Sequence, residues 1–277
     1  MIIDFHTHCY PDKIAEKAVA GLSGTGGIRP YTNGTLAGLL DLERSQGVSA
    51  FIVNNIATDG RRMHNVNDFA ISINSANVIA FGSVAPFEES SFEELERLCD
   101  NGIIGVKFHP YFQNFYVDDP RVIPLYEKIR ELGLITLFHA GSDISFDDVE
   151  RAEPKRLKEA ALALGADKGS DVIFAHWGAS MQSQKVLDEL CGLTVYFDTA
   201  FGLGYITKAE AKAIINAHGA DRILFGSDCP WSTPERELGF IRSLGLTDEE
   251  FAVITYKNAK ALLGRHKVDN SQESLIK

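Results

Sequence analysis

Two histidines, His6 and His8, follow directly on the first apolar run of the chain. Side chains alternate along a β-strand, so residues at this spacing point to the same side and could share a metal ion. Three later apolar runs also end in a residue that can ligate a metal, namely His139, His176 and Asp228. Four such endings in chain order predict strand ends that converge on one centre.

Neutral imidazoles combined with a carboxylate are a donor set that suits a borderline cation such as Zn²⁺. The five groups suffice to bind one ion, and binding of a second ion is also possible. His64, His218 and His266 fall in helical or tail segments, where hydrogen-bonded structural imidazoles are expected. The sequence therefore predicts a divalent metal site, with zinc favoured, built from His6, His8, His139, His176 and Asp228.

Along the whole chain, apolar runs typical of strands alternate with amphipathic stretches typical of helices. This alternation predicts a parallel sheet with helical crossovers, and closing it gives a (β/α)₈ TIM barrel with the metal site at the C-terminal strand ends. An open doubly wound sheet is the alternative, but no GxGxxG turn follows the first strand. The expected strands are 2–5, 49–53, 78–84, 103–108, 134–138, 171–175, 193–197 and 222–226, and the expected helices are 35–47, 91–101, 120–133, 154–165, 181–190, 207–219, 234–245 and 247–263.

Composition limits the function classes that need consideration. The 277 residues are 45% hydrophobic and carry a net charge of −11, which argues against nucleic-acid binding and against anionic membranes. No apolar stretch approaches bilayer length, no signal peptide is visible, and the four cysteines are widely spaced, so a cytoplasmic protein with reduced thiols is expected. We expect one barrel domain over 1–266 and a polar tail over 267–277.

The segments around these ligand candidates resemble a known family. Ile-Asp-Phe-His-Thr-His at the start, Leu-Phe-His-Ala-Gly at 137–141, Phe-Ala-His-Trp-Gly at 174–178 and Phe-Gly-Ser-Asp-Cys-Pro-Trp at 225–231 are similar to motifs of the amidohydrolase superfamily. They most resemble the amidohydrolase-related branch that contains aminocarboxymuconate-semialdehyde decarboxylase and γ-resorcylate decarboxylase. The resemblance runs from residue 2 to about residue 263, and it indicates the metal more specifically than the substrate.

The resemblance implies a role for each matching residue. His6 and His8 would be ligands from the first strand, His139 from the fifth and Asp228 from the eighth. His176 would bind metal or contact the substrate and its transferred proton. Lys107, at the end of the fourth strand, leaves three possibilities open: a carboxylated lysine that bridges two ions, a cation that orients an anionic substrate group, or a rim lysine paired with a carboxylate.

Several further residues are candidates for the pocket wall. His109 shares a strand face with Lys107 and could reach the substrate, although His-Pro could equally end the strand. Tyr111 and Trp177 could line the pocket, and Arg62 could clamp a carboxylate, with packing or solvation as the alternatives. The glycine-rich segment 21–30 is expected to be a mobile lid or a plain loop. Asp4 is expected either to orient His6 or to sit deeper as a structural acid.

These residues support hydrolysis of a small amide, lactone or ester. The metal would activate a water molecule, Asp228 would accept its proton, and Asp228 or His176 would return a proton to the leaving group. The enzymatic alternative is a metal-dependent non-oxidative decarboxylase, in which the same base protonates a substrate carbon. The non-enzymatic alternative is a protein with a structural metal and a closed coordination shell. The expected partner is a small, carboxylated substrate, and the branch also makes a homodimer possible.

Overall fold

The computed structural model describes residues 1–146 and 150–266. Its eight strands are all parallel and fall within or beside the expected runs. Each is short and completely buried, as expected for strands covered on both faces. They are β1 Ile3–Thr7, β2 Ala50–Asn54, β3 Val78–Phe81, β4 Gly105–Phe108, β5 Ile135–Phe138, β6 Val172–Phe174, β7 Tyr196–Asp198 and β8 Ile223–Leu224.

Backbone hydrogen bonds join the strands into a (β/α)₈ barrel. The ladders form one sheet in the order β1-β2-β3 and another in the order β4-β5-β6-β7-β8. At the seam between β3 and β4, the Lys107 N–H donates to the Gly82 carbonyl at 2.8 Å. At the seam between β8 and β1, the Phe5 N–H donates to the Phe225 carbonyl at 2.7 Å and the Asp228 N–H to the His6 carbonyl at 2.8 Å. The expected barrel is therefore confirmed.

The helices surround the strands and bury a second apolar layer against them. Inside the barrel, residues such as Ile3, Phe5, Leu137 and Leu224 fill the axis, so the interior is a packed core rather than a channel. The helices are α1 Asp12–Gly26, α2 Leu36–Ser45, α3 Gly60–Ile73, α4 Ser90–Asp100, α5 Ile123–Leu132, α6 Pro154–Leu164, α7 Ser183–Glu189, α8 Lys208–His218, α9 Pro234–Arg242, α10 Asp248–Ala252 and α11 Asn258–Leu263.

The structure differs from the sequence-based expectation in two helical regions. Helix α1 extends to Gly26 and ends on Gly27 in the left-handed conformation, so much of the expected glycine-rich loop is helical. Here burial of Ala15 and Val19 outweighs the poor helix propensity of glycine. Helix α3, which the sequence analysis did not assign, follows β2 directly. The expected tail over 267–277 lies outside the described residues.

Candidate metal centre and pocket

The strand ends of β1 and β8 bring two imidazoles and one carboxylate together. The Nε2 atoms of His6 and His8 lie 3.5 and 3.3 Å from Oδ1 of Asp228. All three ligating atoms lie within 4.8 Å of one another. Tetrahedral ligands at bond lengths of about 2.0–2.1 Å stand roughly 3.3 Å apart, so these spacings suit one Zn²⁺-sized cation.

Hydrogen bonds to Nδ1 of each ring make Nε2 the unprotonated nitrogen, and that of His6 is also approached by Nζ of Lys107 at 3.3 Å. Nδ1 of His6 donates to Oδ2 of Asp198 at 2.7 Å, and Nδ1 of His8 donates to the Asn54 carbonyl at 2.8 Å. Each Nε2 is then an acceptor that faces the Asp228 carboxylate. Acceptors that face one another in a buried site require a cation or a proton between them. This donor set therefore fits a divalent metal ion.

His139 and His176 lie beside this cluster and contact each other. Nδ1 of His176 donates to the Ala200 carbonyl at 3.1 Å, so its Nε2 accepts a hydrogen bond from Nδ1 of His139 at 3.0 Å. Burial lowers the pKa of His176 to about 4 and holds the pKa values of His6 and His139 well below their usual range. All three rings are therefore neutral near neutral pH, as ligation requires.

Nε2 of His139 faces away from His176 and towards a second group of residues. It lies 3.8 Å from Oδ2 of Asp143, which lies 3.3 Å from Nε2 of His109. The rings of His109 and His139 stack at 4.2 Å. Burial, the largest single effect, raises the pKa of Asp143, but the hydrogen bond and charge of His109 together with smaller effects of Ser145 and His176 lower the pKa overall. This group of three lies beside the cluster of His6, His8 and Asp228.

Lys107 is buried between the acids of β7 and β8. Its Nζ lies 3.3 Å from Nε2 of His6. Burial lowers the pKa of Lys107 to about 8, although the charges of Asp198 and Asp228 act in the opposite direction. Burial also raises the pKa of Asp198 to about 7, and Lys107 opposes that shift. The lysine therefore keeps a positive charge near neutral pH beside the proposed ligands.

A strained backbone presents two of the site residues. His176 and Asp228 adopt φ values of 60° and 66°, in the left-handed region that side-chain-bearing residues rarely enter. Such strain costs of order 1–3 kcal/mol per residue and is concentrated at functional sites. In both cases the unusual conformation follows a strand end, where it turns the side chain over the mouth of the barrel.

The cleft above these residues is lined by both polar and apolar side chains. It contains about 770 Å³ of non-protein space, including its open mouth. Its polar lining includes Lys107, His109 and Asp143 together with the histidines described above. The apolar wall comes from segments that follow several different strands, and it comprises Leu22, Ile28, Ile56, Phe112, Ile144, Phe201 and Trp231.

Three expected wall residues lie outside the residues that line this cleft. The Arg62 side chain is 70% exposed near the start of α3, where it donates to Oγ1 of Thr58 at 3.0 Å. The Tyr111 hydroxyl donates to the Gly141 carbonyl at 2.8 Å, which fixes its buried ring against the β5 loop. Trp177 is buried beneath the cleft against Phe240, at a centroid distance of 6.1 Å. Local packing and capping therefore hold all three away from the cavity.

Two acids at the site were missed by the sequence analysis, and Asp4 takes the second of its two expected roles, that of a buried structural acid. Asp198 ends β7 just as His139 and His176 follow β5 and β6, so the strand-end pattern itself could have identified it. Asp143 lies in a loop, and nothing local marks its approach to His109. Asp4 accepts from the backbone N–H groups of His6 and Ser227, each at 3.0 Å, and does not contact the His6 ring.

Comparison with family models places the chain in a known enzyme family. The amidohydrolase family model matches residues 3–265, and the chain belongs to this family. A search of curated proteins finds no match. The family and the candidate ligands together define an amidohydrolase-superfamily enzyme that is expected to need a divalent metal. No helix in the described ranges is long and apolar enough to cross a membrane.

Solved structures of several enzymes share the fold. A 5-carboxyvanillate decarboxylase from Sphingomonas paucimobilis has a TM-score of 0.68 at 15% identity, covering 96% of this chain and 99% of its own. A dihydroxybenzoic acid decarboxylase from Polaromonas, with bound manganese and 2-nitroresorcinol, has a TM-score of 0.69 at 17% identity. The match covers 96% of this chain and 98% of the decarboxylase. A probable 2-pyrone-4,6-dicarboxylic acid hydrolase from Acinetobacter baumannii, with citric acid bound, has a TM-score of 0.66 at 18% identity. The match covers 95% of this chain and 99% of the hydrolase. At these identities the similarity establishes the fold.

Proposed function

We propose that this protein is a metal-dependent hydrolase that acts on a small carboxylated amide, lactone or ester. The observation that carries the proposal is the pair of unprotonated Nε2 atoms of His6 and His8, which face the Asp228 carboxylate at 3.5 and 3.3 Å. We propose Zn²⁺ as the ion. A single barrel domain over residues 1–266 would hold the whole site.

Each residue around the cluster has a defined part in this proposal. A divalent cation bound there would lower the pKa of a coordinated water and polarise a substrate carbonyl. Asp228 would accept the proton of the attacking water, because its carboxylate lies between the two imidazoles. Nε2 of His176 carries a lone pair, so it could accept the proton of the attacking water from Asp228 and then pass that proton to the leaving group. Lys107 would orient the substrate carboxylate through its buried charge.

A metal-dependent decarboxylase is the second candidate. The apolar wall that includes Ile28, Phe112 and Trp231 favours it, because a planar ring could lie there with its carboxylate towards Lys107. In that reaction Asp228 would deliver a proton to the ring carbon, and carbon dioxide would leave. The decarboxylases that share this fold act on substituted benzoates, as their names state, which supports the same substrate class here.

Two measurements test this proposal together. The purified protein is assayed for bound metal by elemental analysis and then screened against small cyclic carboxylates, with carbon dioxide and ring-opened acid measured separately. We expect metal in the native protein and its loss in Asp228→Asn. Arg62→Gln is the matched control, because this side chain is exposed and outside the cleft. Native protein without metal affinity would contradict both candidate reactions, whereas the product would distinguish them. Native mass measurement tests the expected homodimer.

A further inference from the structure

We propose that Glu237, on α9, is a positioning residue that holds two aromatic residues in the wall of the cleft. These residues lie on different loops, since Phe201 follows β7 and Trp231 follows β8, and both line the cleft. Glu237 is outside the lining, on a helix that is fixed by its buried Phe240 and Ile241. The inference rests on the proposed function for its consequence, which is that Glu237 determines how well the apolar part of the substrate is bound.

Three hydrogen bonds join Glu237 to the two loops. Its Oε2 accepts the backbone N–H groups of Gly202 and Leu203, each at 3.1 Å, and its Oε1 accepts the hydroxyl of Ser232 at 2.6 Å. The bonded groups directly follow the two aromatic residues of the wall. Because Glu237 is only 1% exposed, water cannot replace these bonds when the carboxyl group is removed.

The position of Phe201 depends on support from its surroundings. Its φ of 53° lies in the left-handed region, which is unfavourable for a residue with a side chain unless neighbouring contacts hold it. Its ring packs on that of Tyr205 at a centroid distance of 4.7 Å. Phe201 borders both the cleft and a smaller cavity of about 230 Å³, including its opening. A shift of this loop would therefore widen the cleft towards the second cavity.

Glu237 acts as a hydrogen-bond acceptor and not as half of an ion pair. All three of its donors are neutral, and in the described ranges no cation contributes to its environment. A glutamine could therefore take its place, because the amide oxygen can accept from Gly202 and Leu203 while the NH₂ group donates to Ser232 Oγ. Leucine has a similar size but offers no acceptor, so it should release both loops.

The fluorescence of Trp231 tests this arrangement without a substrate. The chain contains two tryptophans, so a Trp177→Phe background leaves Trp231 as the reporter. In that background, we expect Glu237→Leu to shift the emission to longer wavelength and to increase quenching by acrylamide. Glu237→Gln should keep the emission and quenching of the background. Ser232→Ala, which removes only the bond beside Trp231, should shift the emission in the same direction as Glu237→Leu. Glu235→Leu is the matched control, because Glu235 is exposed on the same helix.

Kinetics on the cyclic carboxylate that the product screen identifies test the consequence for the substrate. Glu237→Leu should raise KM about tenfold with kcat and metal content nearly unchanged, because a wall that contacts the unreactive part of the substrate binds the ground state and the transition state alike. Glu237→Gln and Glu235→Leu should keep the native KM. Far-UV circular dichroism and thermal melting confirm folding, and Ser232→Ala decides the question if Glu237→Leu does not fold.

Each other outcome contradicts a stated part of the inference. If folded Glu237→Leu keeps the background emission and quenching, Glu237 does not hold the wall. If Glu237→Gln shifts the emission as much as Glu237→Leu, the charge and not the acceptor geometry is responsible, and the inference is again wrong. If the emission shifts but KM stays native, the wall does not bind the substrate. If no protein shows metal-dependent turnover, the proposed function fails, whereas the fluorescence still decides whether Glu237 holds the two loops.

Discussion

Nδ1 of His6 lies 2.7 Å from Oδ2 of Asp198, and both side chains are completely buried. The other oxygen of Asp198 accepts the backbone N–H groups of His176 at 2.9 Å and Ala200 at 3.1 Å. One carboxylate therefore does two things. It fixes the tautomer of His6, a candidate ligand on β1, and it holds in place the backbone that carries His176 after β6. Loss of a carboxylate that orients a ligating histidine in this way typically costs about 10–100-fold in metal affinity.

Replacing Asp198 by Asn should weaken metal binding even though no ligand residue is substituted. The amide oxygen can still accept from His176 and Ala200, but its NH₂ group then faces Nδ1 of His6. His6 must shift its proton to Nε2 to accept that donor, and Nε2 is lost as a ligand. We expect the metal dissociation constant to rise about 10–100-fold, measured by competition with a coloured chelator.

Asp167→Asn provides the control for this substitution. Asp167 is exposed and lies in the turn between α6 and β6, before the start of β6 and away from the strand ends that carry the site. It should leave metal affinity unchanged. If Asp198→Asn also bound metal with native affinity, His6 would not depend on Asp198 for its tautomer.

The strands and the proposed ligands could be predicted because each depends on local pattern. Fully buried parallel strands appear as short apolar runs, and a residue that follows such a run lies at the mouth of the barrel whatever the loops do. His6, His139 and Asp228 needed no further information to be located there. Asp198 also lies at the end of a strand, but it was not predicted as a site residue, because a single acid with no histidine beside it is a weak signal for a metal site.

The walls of the cleft could not be predicted because they depend on contacts distant in sequence. Trp177 and Trp231 both adjoin a candidate ligand, yet only Trp231 lines the cavity. Asp143 meets His109 through loop geometry that no periodicity encodes. Leu22 reaches the cleft because α1 continues through a glycine-rich segment, and tertiary packing decides that outcome.

Substitution of the two tryptophans should therefore have different effects. Trp177→Ala removes a buried ring that packs on Phe240, so we expect a loss of about 3–5 kcal/mol in the free energy of unfolding. Trp231→Ala should change stability less and raise KM about tenfold, which corresponds to roughly 1.4 kcal/mol of lost substrate contact. Denaturant unfolding and steady-state kinetics on the same preparations separate the two effects. A large KM increase in Trp177→Ala with native stability would refute this assignment.

Gly226 is required because His6 approaches it closely. A Cβ atom at this position would lie 2.8 Å from Cβ of His6 and 3.3 Å from Cβ of Ala200. Gly226→Ala should displace His6, lower the free energy of unfolding by about 1–3 kcal/mol and weaken metal binding. Gly239→Ala is the matched control, because Gly239 is exposed on α9 and a Cβ there meets no atom within 4 Å. That control should gain up to about 1 kcal/mol through higher helix propensity. Equal effects of the two substitutions would show that the close approach to His6 is unimportant.

His218, far from the cleft, should make folding stability depend on pH. Its Nδ1 accepts the Gly192 N–H at 3.2 Å and its Nε2 donates to the Val195 carbonyl at 3.1 Å, so the ring is neutral, and it stacks on Phe197 at 3.9 Å. Burial lowers the pKa of His218 from 6.5 to about 4. Between these values the unfolded chain binds more protons than the folded one, so this contribution to stability rises with pH. It is complete above pH 6.5 and is lost as the pH falls towards 4.

The substitution His218→Gln isolates this contribution, because glutamine can accept from Gly192 and donate to Val195 without titrating. The native protein should lose about 2 kcal/mol of its stability relative to His218→Gln between about pH 7 and about pH 5. Urea unfolding of both proteins at the two pH values measures the difference. Buried histidines at the cleft titrate in both proteins and cancel in this comparison. If the difference in unfolding free energy stayed constant across that range, His218 would have the same pKa in the folded and unfolded chain.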